Sequence, residues 1–269
     1  MPFRLFVLVA VLAAFPTRDP ILRAWFIEPD TRMNPDLQYG QAIPGRCTGR
    51  GIGIIETLHF VKVVDAVGML RGSQAWTDKD QKALVAWFAE YLDWLLESRY
   101  GCDEAATKNN HGTWYDAQVA SFALFAGRDD VASRVLSEAA EKRIARQIEP
   151  DGRQPHELAR TKSFSYSVMN LRGMFTLAAL GERVGVDLWS FQTDDGRSIR
   201  KAIDWLAPYA SGEAEWKHEQ ISGVHPEALY PLLRWAAIAY GESEYEKRIE
   251  WIPDFDRKAE RMELLRPAR

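Results

Sequence analysis

Two polar-aromatic clusters stand out in the chain, each lying directly before an apolar run. The first is Lys108-Asn109-Asn110-His111-Gly112-Thr113-Trp114-Tyr115-Asp116, and the second is His156-Glu157-Leu158-Ala159-Arg160-Thr161-Lys162-Ser163-Phe164-Ser165-Tyr166. Burial alone does not account for such a composition, because every polar group taken inside needs a partner. Together the clusters offer the amides of Asn109 and Asn110, the imidazole of His111, the phenols of Tyr115 and Tyr166, the carboxylate of Glu157 and the guanidinium of Arg160. That set suits the removal of a proton from a carbon next to a carboxylate. The carboxylate's charge opposes carbanion formation, and amide donors with an arginine neutralise it through hydrogen bonds that strengthen as charge develops. A histidine or an ionised tyrosine takes the proton, and a tyrosine protonates the leaving oxygen. An arginine close to a tyrosine favours the ionised phenol.

Other chemistries lack their residues. There is no serine-histidine-acid pattern, no HExxH or other metal spacing, and no glycine-rich phosphate loop. Neither a metal nor a cofactor is expected.

The clusters need rigid mounts, and the runs behind them supply these. Val119 to Ala126 reads as a buried helix stopped at Gly127, and Ser167 to Leu180 as another stopped at Gly181. If the first helix begins by residue 111, His111 and Tyr115 share one face. Further helices are expected over residues 19–28, from Ile52 to Leu70, from Thr77 to about Ser98, from Asp129 to Ile148, from Ile199 to Tyr209 and from Pro226 to Tyr240. Thr77 and Asp80 make a variant capping box. Tyr100 to Lys108 reads as a polar loop, and Glu149 to Pro155 as a turn. Asp30 to Arg50 is irregular, and a structureless stretch of that length is usually functional. It is expected to help wall a groove, although Arg46 and Arg50 would equally be solvated in a plain crossing loop. No alternating strand run and no βαβ pattern is found, so the chain reads as all-α.

Bulk properties narrow the classes. At 269 residues, 46% apolar and 27% charged, the chain has the composition of a globular protein. Its formal charge of −4 gives nothing basic overall for nucleic acid, and no nucleic-acid motif is present. A polyanionic ligand would therefore have to meet a local cluster of cations. Cys47 and Cys102 make no disulfide framework and no metal spacing, and read as free. Residues 1–20 carry a short basic lead and an apolar stretch, read either as a signal peptide or as a truncated first helix. That stretch is short for a bilayer span, and no membrane partner is expected. No low-complexity linker divides the remainder, so residues 21–269 are expected to form a single domain.

The sequence Asn109-Asn110-His111-Gly112-Thr113-Trp114-Tyr115, followed by Glu157-Leu158-Ala159-Arg160 and Tyr166, resembles the alginate lyase domain of polysaccharide lyases. The likeness runs from about Leu22 to Tyr209. It implies an (α/α) toroid, or incomplete barrel of antiparallel helix hairpins, that cleaves 4-O-linked uronate glycans by β-elimination without an obligatory metal. Here the toroid would lack its first helices. By position, Asn110 would neutralise the uronate carboxylate with Asn109 beside it. His111 would be a base or a carboxylate partner, and Tyr166 the catalytic acid and also a candidate base. Arg160 would tune Tyr166, and Glu157 would hold Arg160 by an ion pair. Trp114 and Tyr115 would bind substrate, and Arg46, Arg50, Lys108, Arg160 and Lys162 would form a positive strip along the groove. The partner would be an anionic uronate polysaccharide such as alginate or glucuronan, met in the periplasm or outside the cell. The Arg160-to-Tyr166 interval is one residue shorter than in the best-known alginate lyases, and Gly112-Thr113 replace the residues usual after His111. Both departures bear on the substrate more than on the chemistry.

Blander readings stand beside these. Asn109 or Asn110 could simply cap a helix, with His111, Trp114, Tyr115 and Tyr166 in the core. A Glu157–Arg160 pair on a surface helix is worth only about 0.2–0.5 kcal/mol. Trp216 and His218 read as a late exposed loop. Two other function classes compete: a carbohydrate-binding toroid without activity, and a hydrolase on the same architecture. Hydrolysis needs two carboxylates flanking the bond, and Asp116 with Glu157 is the obvious pair, but Asp116 points off the His111/Tyr115 face of a regular helix.

Overall fold

The structure, a computed structural model, describes residues 20–253, 255 and 256. The expected leader or first helix therefore lies outside the described residues, Pro20 excepted. The described chain is all-α, with isolated bridges only, at Ile43–Cys47 and Lys162–Gln220. The described residues divide into two compact units, 20–107 with 114–135, and 108–113 with those from 136 onward.

In the first unit, the Asp78–Glu97 helix starts as the capping box requires. Thr77 Oγ1 accepts from the Asp80 N–H at 3.2 Å, and Asp80 Oδ2 accepts from the Thr77 N–H at 3.0 Å. The apolar face of this helix meets the Pro20–Phe26 and Phe60–Gly68 helices in a cluster of edge-on and tilted rings. Phe26 and Trp87 are 4.8 Å apart and Phe88 and Phe122 are 4.9 Å apart, and each such contact adds about 0.5–1.5 kcal/mol to simple burial. The run expected as one helix from Ile52 to Leu70 is a 3₁₀ helix, Gly51–Thr57, followed by the Phe60–Gly68 α-helix. The 3₁₀ turn lies where Gly53 meets Gly40 backbone to backbone: a Cβ on Gly53 would stand 2.5 Å from the Gly40 carbonyl carbon. The Tyr100–Lys108 loop is largely the short Arg99–Ala105 helix, capped by Ser98, whose Oγ accepts from the Gly101 N–H at 3.0 Å. The long 30–50 stretch is irregular, as expected, yet pinned. Trp87 Nε1 donates to the Met33 carbonyl and Tyr100 Oη to the Gly49 carbonyl.

In the second unit the longest helix is Ser163–Gly181. Beside it lie Pro155–Leu158, Ile199–Leu206, Tyr230–Tyr240 and Ser243–Glu250, the last not singled out by the sequence. Phe175, Trp189, Trp235 and Tyr240 form its ring cluster. The helix expected from Asp129 to Ile148 runs as Asp129–Ala139, a π turn over Ala140–Ile144, and Ala145–Gln147. The turn before Pro155 closes through the Gly152 N–H to the Glu149 carbonyl. Gly152 has φ +94°, and a Cβ there would stand 2.2 Å from the Lys201 carbonyl oxygen, so both space and backbone call for glycine. Cys47 and Cys102 are free.

Candidate active site

The Asn110–Phe125 helix opens on the first motif. Asn109 stands at its N-cap: Oδ1 accepts from the His111 N–H at 3.2 Å, and the Asn109 carbonyl accepts from the Gly112 N–H at 3.0 Å. The capping role weighed for Asn109 is thus real. It also fixes Asn110 and His111 in the first turn. Asn110 is 0% exposed, and His111 is half-buried.

The second motif is fastened to the first. Glu157, 1% exposed, accepts from the Asn110 backbone N–H at 2.6 Å and from Asn110 Nδ2 at 2.8 Å. Burial pushes the Glu157 carboxyl above its ordinary range. The two Asn110 donors oppose that shift, followed by the charges of Arg160 and His111. The ion pair expected between Glu157 and Arg160 is not formed, because the carboxylate faces Asn110 and the Pro155–Leu158 helix ends before Arg160. The Arg160 guanidinium instead lies over the Tyr166 ring, 3.9 Å from its centroid.

Tyr166 sits in the first turn of the Ser163–Gly181 helix, which begins four residues earlier than expected. Lys162, at the N-cap, provides no side-chain cap. The free N–H groups are met from residues distant in sequence. Ser163 N–H donates to the Glu219 carbonyl at 3.1 Å, and Phe164 and Ser165 N–H donate to Gln220 Oε1 at 3.0 and 3.4 Å. Trp216 Nε1 donates to Ser163 Oγ, and its ring packs on Phe164, so Trp216 is half-buried rather than a loose loop residue.

Beneath the motifs runs a buried amide chain. Gln147 Oε1 accepts from Thr113 Oγ1 at 3.0 Å and from Asn170 Nδ2 at 2.9 Å, and Asn170 Nδ2 also donates to Gln154 Oε1 at 2.9 Å. Gln154 Nε2 returns to the Ser167 carbonyl at 3.2 Å. Asn110 Oδ1, Ser167 Oγ and Asn170 Oδ1 are buried without a protein partner. Unpaired buried polar atoms are rare in folded chains, and others here lie away from the motifs, at Gln81 and Tyr240 among them. Sequence reasoning missed Gln147, Gln154, Asn170 and Gln220, since a lone amide carries no local signal.

Lys108 is exposed in the second unit. Arg46, Arg50, Trp114 and Tyr115 belong to the first unit. Arg46 is exposed, and Arg50 donates to the Gln41 carbonyl and to Gln41 Oε1. Trp114 and Tyr115 are buried, and Tyr115 Oη donates to the Leu95 carbonyl at 2.8 Å. Among the described residues no group of His, Cys, Asp or Glu gathers as a metal site, and no helix is long and apolar enough to cross a membrane.

The family model described as alginate lyase matches residues 17–216, which holds both motifs. The chain belongs to the alginate lyase family. Its fold is also that of a solved alginate lyase from Bacteroides ovatus, with a TM-score of 0.86 and 36% sequence identity. That likeness covers 90% of this chain and 65% of the other, so this member of the family spans about two thirds of its relative's length. The all-α class, with the α/α arrangement expected of alginate lyases, agrees with the match. No curated protein matches the chain.

Proposed function

We propose that this alginate lyase family member is a polysaccharide lyase that breaks the 4-O-linked bond of a uronate glycan by β-elimination. The observation that carries the reading is the pair of hydrogen bonds from Asn110 to Glu157. They fasten the amide-imidazole motif to the segment that carries Arg160, whose guanidinium in turn covers the Tyr166 ring.

In this reading His111 faces the uronate carboxylate and donates to it as C5 loses its proton, while Asn110, buried and bound to Glu157, holds the turn that carries His111. Tyr166, held in the first helical turn, takes the C5 proton as phenolate. The electron pair forms the C4–C5 double bond, the C4–O bond breaks, and the leaving oxygen takes the proton from the Tyr166 phenol. The product carries a 4,5-unsaturated uronate. Arg160 supplies a planar cation against the Tyr166 ring, which lysine would not reproduce. The substrate class is an alginate- or glucuronan-like polymer, which places the working site in the periplasm or outside the cell.

Hydrolysis is less well supported. The carboxylates that the sequence offers for it, Asp116 and Glu157, are both buried, and both Glu157 oxygens are taken by Asn110. Absorbance near ~235 nm during incubation with alginate, polyglucuronate and hyaluronan tests the proposal, since elimination makes a conjugated double bond and hydrolysis does not. A rise that disappears in Tyr166→Phe is expected. A folded chain giving no rise on any polymer overturns the lyase reading and leaves a carbohydrate-binding protein.

A further inference from the structure

We propose that Gln220 is a positioning residue for Tyr166. The inference rests on the lyase reading above for the meaning of Tyr166, but its geometry stands apart from it.

An α-helix leaves its first N–H groups without internal partners. In the Ser163–Gly181 helix the first internal bond is that of the Tyr166 N–H to the Lys162 carbonyl, at 2.9 Å. The three N–H groups before it are those of Ser163, Phe164 and Ser165. Each is taken by residue 219 or 220: Ser163 by the Glu219 carbonyl, Phe164 and Ser165 by Gln220 Oε1. Nothing local does this work, because the N-cap Lys162 provides no side-chain bond. The sequence alone places the helix start near Ser167, which would leave Tyr166 in a loop. The 219–220 pair therefore accounts for the extra turn on which Tyr166 stands.

Gln220 is itself held on its other side. Its Nε2 lies 2.9 Å from each of three acceptors, Ser165 Oγ, Ser222 Oγ and the Gly223 carbonyl, among which its two hydrogens are shared. Two backbone donors aimed at one end of the amide and a carbonyl at the other fix which end is oxygen. The backbone adds an antiparallel bridge between Lys162 and Gln220, with the Ile221 N–H on the Thr161 carbonyl at 2.9 Å. Thus the neighbours of Tyr166 on its N-terminal side, Ser165 included, are clamped by one side chain 55 residues away. The clamp lies beyond residue 216, where the family match ends.

A group that only stabilises the fold would change the melting temperature and leave the kinetics of the folded chain alone. A group that places Tyr166 would lower kcat with little effect on KM, because uronate binding does not use it. The test is steady-state kinetics at ~235 nm for the full chain, its Gln220→Ala and Gln220→Glu variants and Tyr166→Phe, with amide hydrogen exchange on each. Misplacement of a reacting group by about 1 Å can cost on the order of 100-fold. Gln220→Ala is expected to lose roughly 10–100-fold in kcat, with KM nearly unchanged and the amides of Phe164 and Ser165 deprotected. Gln220→Glu keeps an acceptor for both amides, while the Ser165 and Ser222 hydroxyls can turn to donate. It is expected to restore their protection and part of kcat.

Equal kcat in Gln220→Ala and an active wild type overturns the clamp alone. Unchanged exchange at Phe164 and Ser165 in that variant overturns it as well, active enzyme or not. A wild type inactive on every polymer overturns the lyase reading, and with it any catalytic meaning of the clamp.

Discussion

Glu157 holds Asn110 at two points, its backbone N–H at 2.6 Å and its side-chain Nδ2 at 2.8 Å. The carboxylate lies at the start of the Asn110–Phe125 helix, where an anion is favoured by the helix dipole. Burial still costs it, and its pKa rises. The amide orientation of Asn110 follows from this contact, since an ionised carboxylate only accepts. Glu157→Gln can meet Asn110 with an amide nitrogen, which turns the Asn110 side chain around. Activity is expected to fall roughly 10–100-fold in Glu157→Gln, with larger losses in Glu157→Ala. Initial rates at ~235 nm check this, and wild-type rates in Glu157→Gln would remove Glu157 from the site's machinery.

The same contact carries a pH signature in stability. Because the folded Glu157 binds its proton more tightly than the unfolded one, its contribution is fully present below the ordinary glutamate value. It is lost as pH rises through the raised folded value. Wild type should therefore lose stability relative to Glu157→Gln as pH is raised from about 4. Thermal unfolding of both chains at several pH values measures the gap, and a gap that widens in the other direction contradicts the assigned shift.

Arg160 over Tyr166 at 3.9 Å is a stacked contact rather than an end-on ion pair. Lysine keeps the charge but not the plane. Arg160→Ala is expected to lower kcat about 100-fold, and Arg160→Lys to recover only a small part of it. If the two variants behave alike and near wild type, the stacking has no part in the reaction.

Much of this molecule was legible because the signals were local. The Thr77–Asp80 box, the left-handed glycine stop at Gly127, and the helical period of the apolar residues each act within a few positions, whereas Gly181 is itself helical and its helix is capped at Glu182. The two motifs stand out in composition for the same reason. What failed was partner assignment over long separations. The family resemblance pairs Glu157 with Arg160, and an i,i+3 helical spacing would suit that pair, but the helix ends at Leu158, so the spacing has no helical meaning there. The true partner of Glu157 lies 47 residues away. Gln220 gives no sign of its role, since the groups that it meets lie 55 and 56 residues before it. The early start of the Ser163–Gly181 helix was hidden with it, for no residue at its N-cap signals a beginning.

Tyr115 offers a contrast between sharing a face and sharing a function. It is four residues from His111, yet its hydroxyl is committed to the Leu95 carbonyl at 2.8 Å and its ring is buried. Tyr115→Phe removes one buried hydrogen bond, a loss of about 1 kcal/mol. Kinetics on the preferred polymer should be unchanged within experimental scatter. A large fall in kcat with an intact fold would place the phenol in the reaction after all.

The most demanding stability prediction concerns Asp80. Its carboxylate accepts from Arg23 Nε at 2.9 Å and Nη2 at 2.5 Å while also accepting from Thr77 N–H and Oγ1. The Arg23 side chain beside it is the main cause of a pKa held well below the usual carboxylate range. Burial opposes this and the Thr77 bonds reinforce it. Both side chains are nearly buried, so removing one charge leaves the other poorly solvated, at a cost of about 3–5 kcal/mol when burial is complete. Asp80→Asn keeps a cap acceptor but not the charge, and is expected to lose roughly 2–4 kcal/mol near neutral pH. A lowered folded pKa means that the contribution is present above the unfolded value of about 3.9 and fades as pH falls below it. The difference between wild type and Asp80→Asn should therefore be large at pH 7 and shrink steadily below about pH 4. Denaturant unfolding of both chains across that range decides the matter, because a difference that does not depend on pH would make the effect one of packing and capping rather than of charge.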